Sequence, residues 1–285
     1  MAYLNIPGFY VEPHERYMTF SDEMPIPVPL PKENRIWVIG NGPSLRAADL
    51  QILHNRGEFC IGMNRIQLIY DKTDWRPSLY CLADTRKNFS WAQDVLFHVK
   101  QGYPCHVKNL ILNALTPHFD GGLGAWIDQP WAGNVVPLIE CMHNYIDHRP
   151  PAKWHFPHPC CFQGSMNTSI QIAAFAGYKN IILLGVDHEW KLRDGEHTPD
   201  PNHYDPRYDG GLEYGILNGE HISNSLPYTV MNPFTIEKMI AEAVYAYRLA
   251  DREARGMGVS IFNASRNTNL YTFPRVSFDE ILGET

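Results

Sequence analysis

Two short polar clusters bracket one apolar unit of this chain and give the strongest hint of chemistry in it. Ser165, Asn167 and Thr168 open a stretch in which Ile170, Ile172, Ala173, Ala174 and Ala176 suit a closely packed helix, and Gly177 stands where that helix has to stop. Ile181-Ile182-Leu183-Leu184 then reads as a strand buried on both faces, with Asp187, His188 and Glu189 directly after it. Helix N-termini and strand C-termini of an open parallel sheet face the same crevice, where ligands bind, so both clusters are expected at one site.

A second constellation lies upstream. Ile36-Trp37-Val38-Ile39 is a strand that runs into Gly40-Asn41-Gly42-Pro43-Ser44-Leu45, where glycine allows close approach of backbone to a ligand and Ser44 is placed to cap a helix starting near Arg46. A strand, a glycine loop and a helix in that order bind phosphate or a nucleotide. The third glycine of the dinucleotide fingerprint is missing and there is no Gly-Lys-Ser/Thr, so a tight turn without a ligand stays open as an alternative. The next strands, Phe59–Met63 and Leu79–Ala83, end in Asn64-Arg65 and Asp84-Thr85-Arg86-Lys87. Three successive strands thus end in polar residues able to hold a nucleotide or a sugar, although Asn64 and Asp84 are also ordinary turn formers.

These ends need a scaffold to hold them. Strand–helix alternation predicts an α/β fold, a doubly wound, mostly parallel Rossmann-like sheet over residues 35–285, with a loop-rich insertion and a lid. Ahead of it, residues 1–34 carry Pro25, Pro27, Pro29 and Pro31 and read as an extended arm. A helical stretch from Trp91 to Lys100 leads to a strand near Val107–Leu112. Residues 116–159, rich in Gly, Pro, Trp and His, read as an insertion near the acceptor side of the site, with a short helix over Val135–Asp147. Residues 190–232 read as a lid-like loop, in which Asp194–Tyr214 holds His197, Asp200, Asn202, His203, Tyr204, Asp205, Arg207, Tyr208 and Asp209. Ile236, Met239, Ile240, Ala243, Val244 and Tyr247 predict a helix from Pro233 to Gly256, and Val259–Phe262 a last strand. The tail through Phe273-Pro274-Arg275 is expected to close the crevice.

Composition narrows the class. A chain of 285 residues with 44% hydrophobic content can bury a large core, and a net charge of −7 without a basic block argues against nucleic acid as partner. No apolar run approaches the ~20 residues of a bilayer span, and Met1–Glu12 lacks the pattern of a signal peptide, so a cytoplasmic protein, as a possible homo-oligomer, is expected. Cys60, Cys81, Cys105, Cys141, Cys160 and Cys161 form no CxxC pair and read as buried free thiols; Cys160-Cys161 beside His155 and His158 lacks zinc-site spacing.

Ile39–Leu45, the block Gly164-Ser165…Gly177-Tyr178-Lys179…Leu184-Gly185-Val186-Asp187, and Asn202-His203-Tyr204 resemble, in this order, the bacterial CMP-sialic-acid-dependent sialyltransferases of lipooligosaccharide synthesis. They are also similar to a broad Rossmann-like set containing archaeal 6-hydroxymethyl-dihydropterin diphosphokinases and surface-polysaccharide glycosyltransferases, whose end the closing Asn263-Ala264-Ser265…Phe273-Pro274-Arg275 resembles. The resemblance spans roughly residues 36 to 275. It implies Asn41 and Ser44 beside the nucleotide phosphate, Asn64 and Asp84 beside its ribose or sugar, and Ser165 near the donor carboxylate or phosphate. Gly40, Gly42, Gly164, Thr168 and Asp187 belong to the same binding set. His203 would be the general base, with Tyr204 beside it and His188 an alternative base or ligand. One departure stands out: where the sialyltransferases place a tyrosine to stabilise the leaving phosphate, this chain has Glu189, an anion. Asp187 and Glu189 around His188 would fit Mg²⁺ and a phosphate better.

Three functions follow as expectations. The first is a glycosyltransferase, needing no metal cofactor, that moves a sugar, of sialic-acid type under the resemblance, from a nucleotide donor to a glycan or small-molecule acceptor. Such a reaction asks for N–H groups around the leaving phosphate and a histidine base for the attacking hydroxyl. The second is a Mg-ATP-dependent pyrophosphokinase-like transferase using Asp187 and Glu189 as metal ligands. The third is a non-catalytic nucleotide- or glycan-binding protein.

Overall fold

Alternation within the first sheet strand sets the layers. In strand β1 (Arg35–Ile39) Trp37 and Ile39 face one core while Ile36 and Val38 face another, because successive side chains of a strand point to opposite faces. A strand buried on both sides needs helices on both sides. The computed structural model describes residues 10–11, 18–19, 34–83, 95, 97–108, 135–138, 154, 164–191, 202–205, 208, 216–217, 220–221 and 233–283.

After β1 come helix α1 (Ala47–Arg56), β2 (Cys60–Met63), β3 (Leu79–Leu82), β4 (Cys105–Lys108) and β5 (Val135–Leu138). Helix α2 (Gly164–Phe175), β6 (Asn180–Leu184), α3 (Pro233–Gly256), β7 (Ser260–Asn263) and α4 (Phe278–Leu282) complete the described elements. The strands form one seven-stranded sheet in the order β7-β6-β1-β2-β3-β4-β5, and every neighbouring pair is parallel. The fold is therefore a doubly wound α/β sheet of Rossmann-like type. On one face Leu50 and Leu53 of α1 and Phe278 and Leu282 of α4 pack against Trp37, Ile39, Tyr80 and Leu82. On the other, Ile170 and Ala173 of α2 and Ala243, Tyr247 and Ala250 of α3 cover Ile36, Val38, Ile61, Ile181 and Leu183. The chain walks outward from β1 to β5 and then returns to lay β6 against the other side of β1. The switch point of the sheet, where a crevice opens, is thus the pair β1/β6.

Several expectations needed correction. Val135–Leu138 is not the start of a helix but the edge strand, paired with β4 in the register Val107↔Pro137; the β-branched pair Val135-Val136 favours extension, and an edge strand tolerates a proline. Residues 139–147 lie outside the described residues. The strand expected at Val107–Leu112 opens earlier, at Cys105, and 109–112 are likewise outside them. Gly177 stops the segment after α2 at φ +92°, and α3 ends at Gly256, both as read from the sequence. In the arm, Tyr10–Val11 pairs antiparallel with Met18–Thr19, as Ile216–Leu217 does with Glu220–His221 further on; Pro25–Pro31 lie outside the described residues. Cys60, Cys81 and Cys105 are buried free thiols, and burial pushes the first two up to about 12, which makes them inert; Cys141, Cys160 and Cys161 lie outside the described residues. Among the described residues no helix is long and apolar enough to cross a membrane.

Candidate functional site

The loops after β1 and β6 are pressed together at the switch point. Gly40 N–H donates to the Leu184 carbonyl and Gly42 N–H to that of Gly185, both at 2.8 Å. A Cβ on Gly42 would lie 2.8 Å from the Gly185 oxygen and from Asp187 Cγ, and Gly185 itself sits at φ +69°. The glycines are therefore required by loop-to-loop contact. Asp187 fastens the same junction: its Oδ2 accepts from Ser44 N–H at 2.6 Å and its Oδ1 from the Ser44 hydroxyl. The cap expected of Ser44 is therefore not formed: the N-cap of α1 is Arg46, with no side-chain bond, and the serine hydroxyl is held by Asp187 instead. Burial pushes the Asp187 carboxyl above the usual range, against the opposing pull of the two Ser44 bonds.

One strand further, Asn64 adopts a left-handed backbone at φ +51° directly after β2. Its carbonyl accepts the Tyr80 hydroxyl at 2.6 Å, while its Oδ1 accepts from Ser165 Oγ at 2.6 Å. Ser165 Oγ in turn accepts from Ala83 N–H at 2.8 Å, so one buried hydroxyl in the first turn of α2 ties the ends of β2 and β3 together. Gly164 starts α2 at φ +79°, and Thr168, wholly buried, donates back to its carbonyl at 3.1 Å. Thr168 therefore braces the helix start instead of facing the crevice. Ser165→Ala leaves a buried N–H and a buried amide oxygen without partners, and should lower stability by about 2 kcal/mol in urea unfolding.

The segment read as a lid docks on these ends. Tyr204 N–H donates to the Asn41 carbonyl at 2.8 Å, and its hydroxyl reaches the carbonyls of Arg65 and Ile66, each at 3.2 Å. Asn41 Nδ2 donates to Met63 O at 3.1 Å and reaches Tyr208 Oη at 3.5 Å, while Arg65 Nη1 donates to Tyr208 O at 2.8 Å. The half-buried His203 ring lies flat on Tyr208, centroids 3.6 Å apart and planes 8° from parallel. Asn202 holds both main-chain groups of Lys191, at 2.6 and 3.0 Å. His203 is thereby brought from a distant loop to the end of β1.

The chain after β7 covers the other flank. Val186 N–H donates to Ser265 Oγ at 2.8 Å, Thr268 Oγ1 donates to Val186 O at 2.7 Å, and Asn269 N–H donates to Asp187 O at 2.7 Å. Next to these bonds His188 stands at φ +53°, its ring edge-on to Tyr247 at 5.7 Å, and Tyr247 is edge-on to Phe273 at the same distance. Burial lowers the pKa of His188, and its Nε2 is buried with no hydrogen-bond partner among the described residues. A strained backbone and an unsatisfied ring nitrogen are features that cluster at binding sites. Glu189 pairs with Lys191 at 3.3 Å.

The structure thus gathers Gly40, Asn41, Gly42, Ser44, Asn64, Gly164, Ser165, Asp187, His188, His203 and Tyr204 along the C-terminal ends of β1, β2, β3 and β6. Asp84 lies outside the described residues, as do His197, Asp200, Arg207 and Asp209. Of the two carboxylates, Asp187 is held by Ser44 and Glu189 lies 3.3 Å from Lys191 in a half-exposed ion pair, and among the described residues no group of three or more His, Cys, Asp or Glu side chains is placed to hold a cation. Arg65, legible in the sequence only as a polar strand end, Ser265, legible only within the closing motif, and Thr268, which no motif marks, are all buried; only a side chain's partner reveals such a role, and those partners lie far away in the chain. Compared with protein-family models, with curated proteins and with solved structures, the chain matches none.

Proposed function

We propose that the protein is a glycosyltransferase that moves a sugar from a nucleotide donor to an acceptor hydroxyl, with His203 as general base. The observation that carries this reading is the meeting, at the β1/β6 switch point, of a glycine loop, the N-terminus of α1 and a histidine delivered by a docked loop. Helix α1 has no side-chain cap, and its first-turn Asp49 is neutralised by a bidentate Arg266 at 2.7 and 2.9 Å. Its opening N–H groups are the donors offered to a leaving phosphate. In the reaction the acceptor oxygen bonds to the anomeric carbon, its proton passes to His203, and the electron pair of the broken C–O bond leaves on the phosphate. A sialic-acid-like sugar is the donor group suggested by the resemblance. A Mg-ATP reading would use Asp187 and Glu189, of which Asp187 is turned onto Ser44 through both carboxylate oxygens.

A thermal-shift panel of CMP, UDP, GDP and ATP, each with and without Mg²⁺, tests the proposal. One nucleotide other than ATP should raise Tm without metal, gaining about 2.7 kcal/mol at a hundredfold excess over Kd. Stabilisation by ATP with Mg²⁺ alone would move the reading to phosphoryl transfer, and no response to any nucleotide would withdraw it.

A further inference from the structure

A ring that is to take a proton has to be held in one plane and one place, and His203 arrives at the end of β1 on a loop. Two neighbours do the holding. Tyr204, next in the chain, is tied by its N–H to the Asn41 carbonyl, and Tyr208 lies flat against the His203 ring at 3.6 Å. Stacking fixes a plane only as well as the platform itself is fixed. Tyr208 is 2% exposed and packs in the core with Trp37, Ile39 and Tyr80; its N–H donates to the Asp205 carbonyl at 3.0 Å, and its own carbonyl accepts from Arg65 Nη1 at 2.8 Å. Arg65 reaches both neighbours. Asn64, left-handed at φ +51°, turns the chain out of β2, and Arg65 stands directly before a 3₁₀ turn over Ile66–Ile69. From there its guanidinium grips the Tyr208 carbonyl while its main-chain oxygen accepts the Tyr204 hydroxyl at 3.2 Å. A guanidinium bond to a carbonyl is charge-assisted and stronger than one between neutral groups. With only 4% of its surface exposed, Arg65 is out of reach of a ligand in this arrangement, so whatever it contributes passes through the loop it holds.

We infer that Arg65 is a positioning residue for His203, fixing the plane of the imidazole through Tyr208. The role in proton transfer rests on the transferase reading; the clamp itself rests on the contacts alone. Removing the guanidinium leaves the Tyr208 carbonyl buried without that donor, lets the platform shift, and carries the stacked imidazole with it. The donor side of the crevice, built from the Gly40–Ser44 loop and the start of α1, is left as it was.

Two readouts on Arg65→Met and Arg65→Lys test this. The first is the imidazole Cε1–H spectrum of histidine-labelled protein, in which the His203 signal is identified by its loss in His203→Phe. The Tyr208 ring current should displace that signal upfield in the parent. In Arg65→Met it should move back toward the position of an unstacked histidine while the other histidine signals stay in place. The second is turnover. Arg65→Met should lower kcat by about a hundredfold, the scale of a misplacement of about 1 Å, with donor KM within about twofold. Arg65→Lys, which keeps a donor but not the planar fork, should lose about tenfold, and it carries both readouts if the methionine variant does not fold. Added to His203→Phe, either substitution should cost nothing further in residual transfer, because a residue that acts through His203 then has nothing to act on; a merely structural role would lower both backgrounds alike. An unmoved His203 signal in a folded Arg65 variant, an equal further loss on top of His203→Phe, or a raised donor KM with unchanged kcat overturns the inference. Transfer by the parent with an unmoved signal strikes out the positioning role alone. A displaced signal with no transfer by any of these proteins withdraws the transferase reading and leaves Arg65 as the clamp of this loop.

Discussion

Gly40→Ala should destabilise the protein by about 3 kcal/mol in urea unfolding, at the upper end of what a single added methyl does in a packed interior. The new Cβ would overlap the Gly185 carbonyl oxygen and stand 3.0 Å from its carbon and 3.1 Å from Val186 Cγ2. None of this can yield cheaply. The Gly185 carbonyl is the acceptor for Gly42 N–H, and Val186 is held on both main-chain groups by Ser265 and Thr268. To admit the methyl, the β1 and β6 loops must separate, which strains the Asp187–Ser44 clamp as well. Gly256→Ala is the matched control: it adds the same methyl where nothing lies within 4 Å, at the end of α3, and should be neutral or stabilise by up to about 1 kcal/mol. If the two variants unfold at the same urea concentration, the close approach of the two loops is not what holds this junction.

How legible all this was depends on the range of the forces involved. The parallel sheet was legible because β1, β2, β3 and β6 are runs of apolar residues buried on both faces, a pattern carried by the residues of each strand alone. That Asn41, Asn64, Ser165 and Asp187 lie along one edge follows from the topology, since strand ends and helix starts of such a sheet must share a side. Their partners did not follow. Ser44 stands where a helix cap belongs, and only Asp187, in a loop far away in the chain, explains why its hydroxyl points elsewhere. Val135–Leu138 was misread as a helix because a short apolar run containing one proline is locally ambiguous, and the edge of a sheet resolves it only once β4 is in place. Thr268 belongs to no motif and Ser265 only to the closing one, which says nothing of its partner; they matter because the carbonyl and N–H of Val186 would otherwise be buried without partners.

His203→Ala should lower kcat by about a thousandfold in the donor-dependent transfer while leaving donor KM within about twofold, the range of effect expected for loss of a general base. The alanine variant by itself is ambiguous, because it also removes the ring that lies on Tyr208, and Tyr208 reaches Asn41 and accepts from Arg65. Loss of that stacking alone should lower stability by about 1 kcal/mol. His203→Phe separates the two roles: phenylalanine keeps a flat ring over Tyr208 and so should keep Tm, yet it can neither accept nor carry a proton and so should lose turnover as fully as alanine does. A phenylalanine variant that retained turnover would take His203 out of the proton transfer and leave its ring as packing. His188 would then be the residue to test, since burial lowers the pKa of its imidazole and its Nε2 has no hydrogen-bond partner among the described residues. A raised KM with unchanged kcat would mean instead that the His203 ring holds the ligand equally before and during the reaction, which is binding rather than catalysis.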